Sequence, residues 1–389
     1  MISVSDALSQ LLALVSRLGS EDVPLEDAAG RVLAREVQAT RDQPPFASSA
    51  MDGYAVRADE AEQHAMFKVI GEAAAGHAFP GRVGAGQAVR IFTGAPVPEG
   101  AGKVVIQEDV TRSGDLITLT SPPGPGTHIR PQGGDFPAGE TITAPRRLAP
   151  ADIALLAAMN IARVPVTRRP EVALISTGDE LVMPGGTPGP EQVIASNTFG
   201  LKSLLEALGA RARILPIARD TETALRSAFA LAEGADLVVT IGGASVGDHD
   251  LVGKVAQELG MERAFYKVAM RPGKPLMAGR LNGAAMVGLP GNPVSAMVCG
   301  HIFLAPMIRA MLGLSAIEEP RTAPLAAPLG PNGPRAHYMR AALGADGLRA
   351  FGNQDSALLS VLARADALLI RPPQDGAREA GEAMQYIPL

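Results

Sequence analysis

The sequence has one cysteine, few aromatic residues and only a small excess of charge, and each shortage narrows what the chain can be. Among 389 residues Cys299 stands alone, which excludes an internal disulfide and a thiolate metal cluster. It sits in an apolar stretch around residues 297–302, the setting of a buried structural thiol. Aromatics make up 4% of the chain, so its mean hydropathy of +0.14 comes from Ala, Val and Leu. No apolar run approaching the roughly 20 residues of a membrane-spanning helix is expected. Residues 1–19 carry Asp6, Gln10 and Arg17, which fits neither a signal peptide nor a basic transit peptide. A net charge of −5 argues against nucleic acid as the main partner. The reading is a cytoplasmic protein without a membrane or nucleic-acid role, long enough for roughly two to three domains.

Residues 4–18 place Val4, Leu8, Leu11, Leu12 and Val15 at helical spacing, with Ser5 and Asp6 as caps and Gly19 as a stop. A second short helix is expected over residues 25–33, before Gln43-Pro44-Pro45-Phe46 breaks regular structure. From there to about Gly139, β-like runs at 67–70, 88–93 and 103–110 alternate with Gly/Pro clusters. Residues 116–120 follow the hairpin signal Ser113-Gly114-Asp115. Residues 148–161 return to a helical pattern and, packed on 25–33, would form a platform into which the β-rich segment is inserted.

The third section alternates strands (172–176, 212–217, 237–241) with helices. Residues 198–207 carry a Leu201, Leu204, Leu205, Leu208 stripe closed by Gly209, and residues 221–233 stop at Gly234. That alternation predicts a parallel sheet with right-handed crossovers. A long helix over 293–312 starts on a proline and should kink at Pro306. Past Glu318-Glu319-Pro320, runs at 337–343 and 348–351 flank Ala345-Asp346-Gly347, a hairpin signal. The fold class is therefore a multidomain α/β chain. Its expected parts are a discontinuous helical platform (1–40 and 140–168), an inserted β-rich domain (41–139), a central α/β/α domain with a mostly parallel sheet (169–318) and a small C-terminal β-domain (319–389).

In an open α/β sheet, ligands gather at the carboxyl ends of the strands. There the sequence puts Ser176-Thr177-Gly178-Asp179-Glu180, then Gly242-Gly243-Ala244-Ser245-Val246-Gly247-Asp248 with Asp250 beyond, then Pro290-Gly291-Asn292-Pro293 opening the long helix. Glycines let backbone N–H groups approach phosphate oxygens, and a helix N-terminus adds a favourable field. One such loop reads as an ordinary tight turn; several on one side of one sheet point to an anionic, phosphate-containing ligand. Residues 267–275 (KVAMRPGKP) set Lys267, Arg271 and Lys274 around a rigid Pro-Gly turn. That suits a tetrahedral oxyanion or a phosphate, the alternative being a solvated basic loop. Asp52, Asp135, Asp179, Glu180, Asp220, Asp248 and Asp250 are loop carboxylates. Beside phosphates they suggest Mg²⁺ held by few protein ligands and several waters. Each Asp could equally cap a helix or serve a turn, Asp220 before Thr221 above all. Asp52 and Asp250 are the least expected to be merely structural. No Ser-His-Asp arrangement is readable, and the six histidines show no metal-ligand spacing.

Taken together, 44–56 (PPFASSAMDGYAV), 91–96 (IFTGAP), 176–181 (STGDEL), 242–250 (GGASVGDHD), 267–275 (KVAMRPGKP) and 289–295 (LPGNPVS) resemble the molybdopterin molybdenumtransferase family, the bacterial MoeA proteins and the E-domain of gephyrin. The resemblance spans nearly the whole chain. It implies an elongated, four-domain homodimer in which the β insertion reaches the α/β domain of the other subunit. It also implies a reaction: adenylylated molybdopterin and molybdate bind, a Mg²⁺-dependent step cleaves the pyrophosphate, and molybdenum cofactor and AMP leave. Carried over by motif, Asp52, Glu180, Asp250 and Lys267 are the catalytic set, with Asp52, Glu180 and Asp250 toward the metal. Thr93, Asp135 and Asp220 contact substrate, with Ser176, Thr177, Gly178, Gly242, Gly243, Ser245, Pro290, Gly291, Asn292 and Pro293 around the pterin phosphate. Lys267, Arg271 and Lys274 bind the oxyanion and phosphate. Arg340 and Ser356 are candidate molybdate or ligand contacts, with Arg335 as the alternative to Arg340. Molybdopterin adenylyltransferase and molybdoenzyme chaperones are the implied partners. Two rival readings stand beside this one. The first is an adenylyltransferase of the neighbouring step, whose glycine loop reads Gly-Gly-Thr-Gly where this chain has Gly-Gly-Ala-Ser-Val-Gly. The second is a scaffold that keeps the fold to bind a partner protein.

Overall fold

The computed structural model describes residues 1–243 and 251–389. The chain divides into two compact units, Met1–Glu21 with Thr167–Leu389, and Asp22–Val166.

In the first unit six strands form one sheet: β1 (Glu171–Ser176), β2 (Arg211–Ile214), β3 (Leu237–Ile241), β4 (Glu262–Tyr266), β5 (Met277–Leu281) and β6 (Ala284–Leu289). Their order is β2-β1-β3-β6-β5-β4. The β1–β2, β1–β3 and β3–β6 pairs are parallel, while β5 runs antiparallel to both β6 and β4. The middle strands are apolar along almost their whole length because both faces are covered: every residue of β3 is buried. Helices Glu222–Leu231 and Leu251–Glu258 supply Leu225, Phe229, Val252 and Val255 to one core cluster with Ile175, Val238 and Met286. Helix Asn197–Ala207 buries Leu201 and Leu205, and Gly209 follows at φ +102°. Thr221, not Asp220, caps the next helix, its hydroxyl accepting from the Ala224 N–H at 3.2 Å.

The connectivity fixes where a ligand can sit. The chain starts at β1, steps outward to β2, then crosses back past β1 to β3. Connections therefore leave β1 and β3 in opposite directions, and their carboxyl-end loops part at that point.

The helix from Pro293 to Leu312 corrects the expectation about apolar runs. By length and composition its 20 residues could cross a membrane, with a mean hydropathy of 1.5. In the fold, however, 78% of that window is buried, so its apolarity serves the core. The kink expected at Pro306 takes the form of a π-helical turn over Gly300–Leu304 between two α-helical stretches, with the Ala305 N–H bonded to the Gly300 carbonyl. One extra residue in the turn accommodates a proline that can neither donate nor tolerate the carbonyl four residues before it.

The remainder of this unit is a sheet in the order Met270–Arg271, Ala336–Gly344, Ala367–Arg371, Ala383–Pro388, Arg321–Pro324, with Gly347–Ala350 paired to Ala336–Gly344. The hairpin signal at Gly347 holds: a Cβ there would meet the Pro324 carbonyl oxygen at 2.1 Å. Arg271 lies in register with His337, which ties the cationic loop to this sheet. On its other side Ile2 donates to the Lys267 carbonyl at 3.2 Å and accepts from the Ala269 N–H at 2.8 Å. The first helix, Val4–Ala13, is capped by Ser3 with Asp6 completing the capping box, and ends well before Gly19.

The second unit holds a six-stranded sheet in the order Lys103–Ile106, Gly53–Val56, Gln87–Ile91, Met66–Ala73, Leu116–Leu119, Val110–Ser113. Its helix Pro150–Ala158 matches the expected pattern. The helix expected over 25–33 is not formed. Leu25–Asp27 makes a single 3₁₀ turn, Gly30 at φ +72° ends it, and Val32–Leu33 pairs as a strand with Arg146–Arg147. Val32 and Leu33 are fully covered in that sheet, so tertiary burial outweighs local helix propensity there.

Candidate active site

Where the β1 and β3 loops part lies a cavity of 580 Å³, within the size range of small-molecule sites. Ser176, Thr177, Gly178, Glu180, Asp220, Gly242, Gly243, Pro290, Gly291, Asn292 and Pro293 all line it, so the sequence-predicted loops do converge. Gly242 is required by geometry. Its φ is +95°, and a Cβ would stand 2.6 Å from the Thr177 carbonyl oxygen. The loops are laced across the strand ends: Thr177 N–H donates to Ile241 O at 3.0 Å, Gly242 N–H to Leu289 O at 3.1 Å, and Gly178 N–H to Ala218 O at 3.1 Å. Thr177 lies buried on the cavity wall, and its hydroxyl has no hydrogen-bond partner among the described residues, which leaves a polar group in need of a ligand.

Asp220 reaches the cavity edge beside Asp179 and Glu180. Burial, and then the neighbouring Asp179 and Glu180 charges, hold its carboxyl above the usual range. Among the described residues no group of three His, Cys, Asp or Glu side chains is gathered as a metal cluster. Ser245 and Asp250 lie outside the described residues.

A second cavity of 350 Å³ adjoins the first and shares Pro275, Pro290 and Asn292 with it. Arg271, Lys274, Arg335 and Ser356 line it, with Ser295, Gln354 and Asp355. Its surroundings are strongly cationic: burial, then Arg271, Arg340, Arg371 and Arg335, push the nearby His337 down to about 4. Of the two arginines considered for this place, Arg335 lines the cavity. Arg340 is fully buried; it donates to the Asp355 carbonyl at 2.9 Å, and among the described residues its Nε and Nη1 have no partner. Lys267 lines neither cavity; its ammonium stands 5.0 Å from the centre of the Tyr266 ring.

Sequence reasoning missed Asn197, whose side-chain amide donates to the Gly291 carbonyl at 2.7 Å. Asn292 in turn donates to the Ser356 hydroxyl at 3.1 Å, and Val294 N–H to the Ser356 carbonyl at 2.9 Å. These bonds fix the turn that separates the two cavities. Ser196-Asn197-Thr198, a run of helix-capping residue types, was the available signal.

In the second unit Asp52 and Thr93 come together from separate strand ends. Asp52 Oδ1 accepts from both the Thr93 N–H and its hydroxyl, each at 2.7 Å. Those bonds, first the backbone one, hold the Asp52 carboxyl below its usual range, with a further contribution from Arg90. Asp135 is exposed in the same unit, its N–H bonded to Gln43 O at 2.9 Å. Asp42, which the sequence did not single out, holds that loop by accepting from Gln132 at 2.6 Å and the Ala138 N–H at 2.7 Å.

Residues 2–160 match the MoeA N-terminal region (domain I and II), residues 173–310 a "Probable molybdopterin binding domain", and residues 322–389 the MoeA C-terminal region (domain IV). The molybdopterin molybdenumtransferase of Nostoc sp. is 37% identical over 96% of this chain and 90% of its own. That of Haemophilus influenzae is 35% identical over 100% and 98%. The chain belongs to the molybdopterin molybdenumtransferase family. As a family member it is a transferase of molybdenum cofactor biosynthesis. The fold agrees: a crystal structure of the molybdopterin biosynthesis MoeA protein from Pyrococcus horikoshii OT3 superposes with a TM-score of 0.84 at 27% identity, covering 100% of both chains.

Proposed function

We propose that the chain inserts molybdate into adenylylated molybdopterin and releases AMP, with the glycine-walled cavity holding the phosphate-bearing pterin and the cationic cavity holding molybdate. One observation carries this reading. A cavity walled by strand-end glycines and one lined by Arg271, Lys274 and Arg335 share Pro275, Pro290 and Asn292, so two anions could be held side by side. In the first, those backbone N–H groups of the β1 and β3 loops that do not already bond neighbouring strand ends, with the Thr177 hydroxyl, would orient the phosphates. In the second, guanidinium and ammonium donors would hold a tetrahedral oxyanion.

The donor chemistry fits Mg²⁺, which binds through one or two carboxylates and keeps several waters. Glu180 in this unit, Asp250, and Asp52 of the second unit are the residues proposed to hold it. When bound, the ion would neutralise charge developing on the cleaved pyrophosphate. Thr93 would keep Asp52 ionised and aimed, and Lys267 would add positive charge near the reacting phosphates. Asp135 would contact substrate from the same unit. We infer a cytoplasmic homodimer in which the second unit of one protomer completes the site of its partner. The four functional domains proposed are 1–40 with 140–168, 41–139, 169–318 and 319–389. Molybdopterin adenylyltransferase and molybdoenzyme chaperones are the proposed supplier and recipients.

The test is incubation of the purified protein with adenylylated molybdopterin, Mg²⁺ and molybdate. Molybdate-dependent AMP release is expected. ATP consumption with free pterin would instead favour the adenylyltransferase reading, and neither activity would favour a scaffold.

A further inference from the structure

The glycine-walled cavity has a stretch of wall that a phosphate would not use. Just past Glu180 the chain forms a two-stranded parallel ladder, Leu181–Val182 with Val193–Ile194. The Val193 N–H donates to Glu180 O at 2.8 Å and the Ala195 N–H to Val182 O at 2.9 Å. The ladder sets Leu181, Val193 and Ile194 on the cavity wall. Val193 and Ile194 nevertheless keep 55% and 40% of their surface exposed. A ladder of two residues per strand has no face large enough to bury them, so their apolar surface stays in water until something covers it.

The rest of the wall is of opposite character. It carries Gly242, Gly243, Asn292 and the buried Thr177, whose hydroxyl has no hydrogen-bond partner among the described residues. One cavity thus joins an unfilled polar donor and a row of aliphatic side chains. Inorganic phosphate would satisfy only the polar part. A phosphate ester carrying a flat ring would use both, because β-branched side chains cover the face of a ring well and a few convergent polar groups then set its orientation.

We propose that Leu181, Val193 and Ile194 form the ring-binding wall of this cavity, recognising the flat heteroaromatic ring of a phosphate ester, a pterin or a purine. The proposal rests on the phosphate reading of the same cavity and adds which part of it reads the ring.

The test uses the full-length protein, the double variant Val193→Ser/Ile194→Ser, and titration calorimetry with three probes: inorganic pyrophosphate, AMP and a pterin monophosphate. Both positions are solvent-facing, so the variant should fold. Pyrophosphate affinity should stay within about twofold, while at least one ring-bearing probe weakens about tenfold or more, the scale on which apolar pockets discriminate. Whichever ring probe weakens identifies the ring. The swap Val193→Ile/Ile194→Val, which keeps the aliphatic surface, should hold affinity within about threefold. Unchanged binding of both ring probes to the serine variant would overturn the proposal, as would an equal loss for pyrophosphate. Failure of the unaltered protein to bind pyrophosphate would refute the underlying phosphate reading separately, before any variant is made, and the ring wall with it.

Discussion

Replacing Gly242 by alanine tests whether the strand-end glycines shape the anion site or merely turn the chain. At φ +95° an added Cβ would stand 2.6 Å from the Thr177 carbonyl oxygen and 3.0 Å from its hydroxyl oxygen, where ordinary contact begins at 3.4 Å. The left-handed backbone alone costs an L-residue about 1–2 kcal/mol. Relieving the clash pulls Gly242 away from Leu289, whose carbonyl accepts its N–H at 3.1 Å, at about 1 kcal/mol for the weakened bond. If the ligand needs the native loop, it must restore that geometry on binding. A total of about 2–3 kcal/mol converts to roughly 30- to 150-fold weaker binding. Calorimetric titration of pyrophosphate reads this directly. Gly234→Ala is the control. Gly234 has φ +80° but nothing within 4 Å of its missing Cβ, and it lies at the far end of β3 from the site. It should cost about 1 kcal/mol of stability and leave binding unchanged. Wild-type affinity in the Gly242 variant, or an equal loss in both variants, would refute the reasoning.

Thr93→Val removes the hydroxyl bond to Asp52 while keeping the backbone bond; AMP release should fall about tenfold and its acid limb move to higher pH. An unmoved limb would count against Thr93 acting through Asp52. Asp220→Asn should raise the melting temperature at pH 7 without added divalent cation. The native carboxyl holds its proton more tightly than the unfolded chain does, so ionisation disfavours the fold as pH rises through its folded pKa. The gain should vanish at pH values below the unfolded pKa, and a pH-independent gain would point to packing instead. His301 and His337 are both pushed down to about 4, chiefly by burial. The unfolded chain therefore takes up these protons first, and stability should fall as pH drops from about 6.5 toward 4. A His301→Gln variant should flatten that limb by up to about 3 kcal/mol in urea titrations, and identical pH profiles would exclude the histidine as the cause.

Much of the α/β domain was legible because burial on both faces writes β1 and β3 as continuous apolar runs, and helix stripes such as Leu201 and Leu205 repeat at their own period. The strand-end loops were legible for the same reason: once strand order is known, glycines at strand ends must converge. What depends on packing between distant segments was not. Nothing local told that Val32 and Leu33 would find Arg146–Arg147 and become a strand. The choice between Arg335 and Arg340 turned on which guanidinium faces space and which is enclosed, a property of the whole sheet. The aliphatic wall at Val193 and Ile194 was hidden because a two-residue ladder within a Gly/Pro-rich loop has no periodicity to read.

The way the chain enters and leaves the second unit has a consequence for how such a protein can be rebuilt. It leaves at Glu21 and returns at Thr167, along Ser20–Pro24 and Arg163–Thr167, which are neighbours in one sheet. Just outside, the Arg168 N–H reaches the Gly19 carbonyl at 2.9 Å. The two ends of the excursion are thus tied to each other at its base. A tight turn joining residues 19 and 168 would span the gap without stretching either flank. The sequence between those points could then be exchanged or removed while Met1–Leu14 stays docked on the domain it braces.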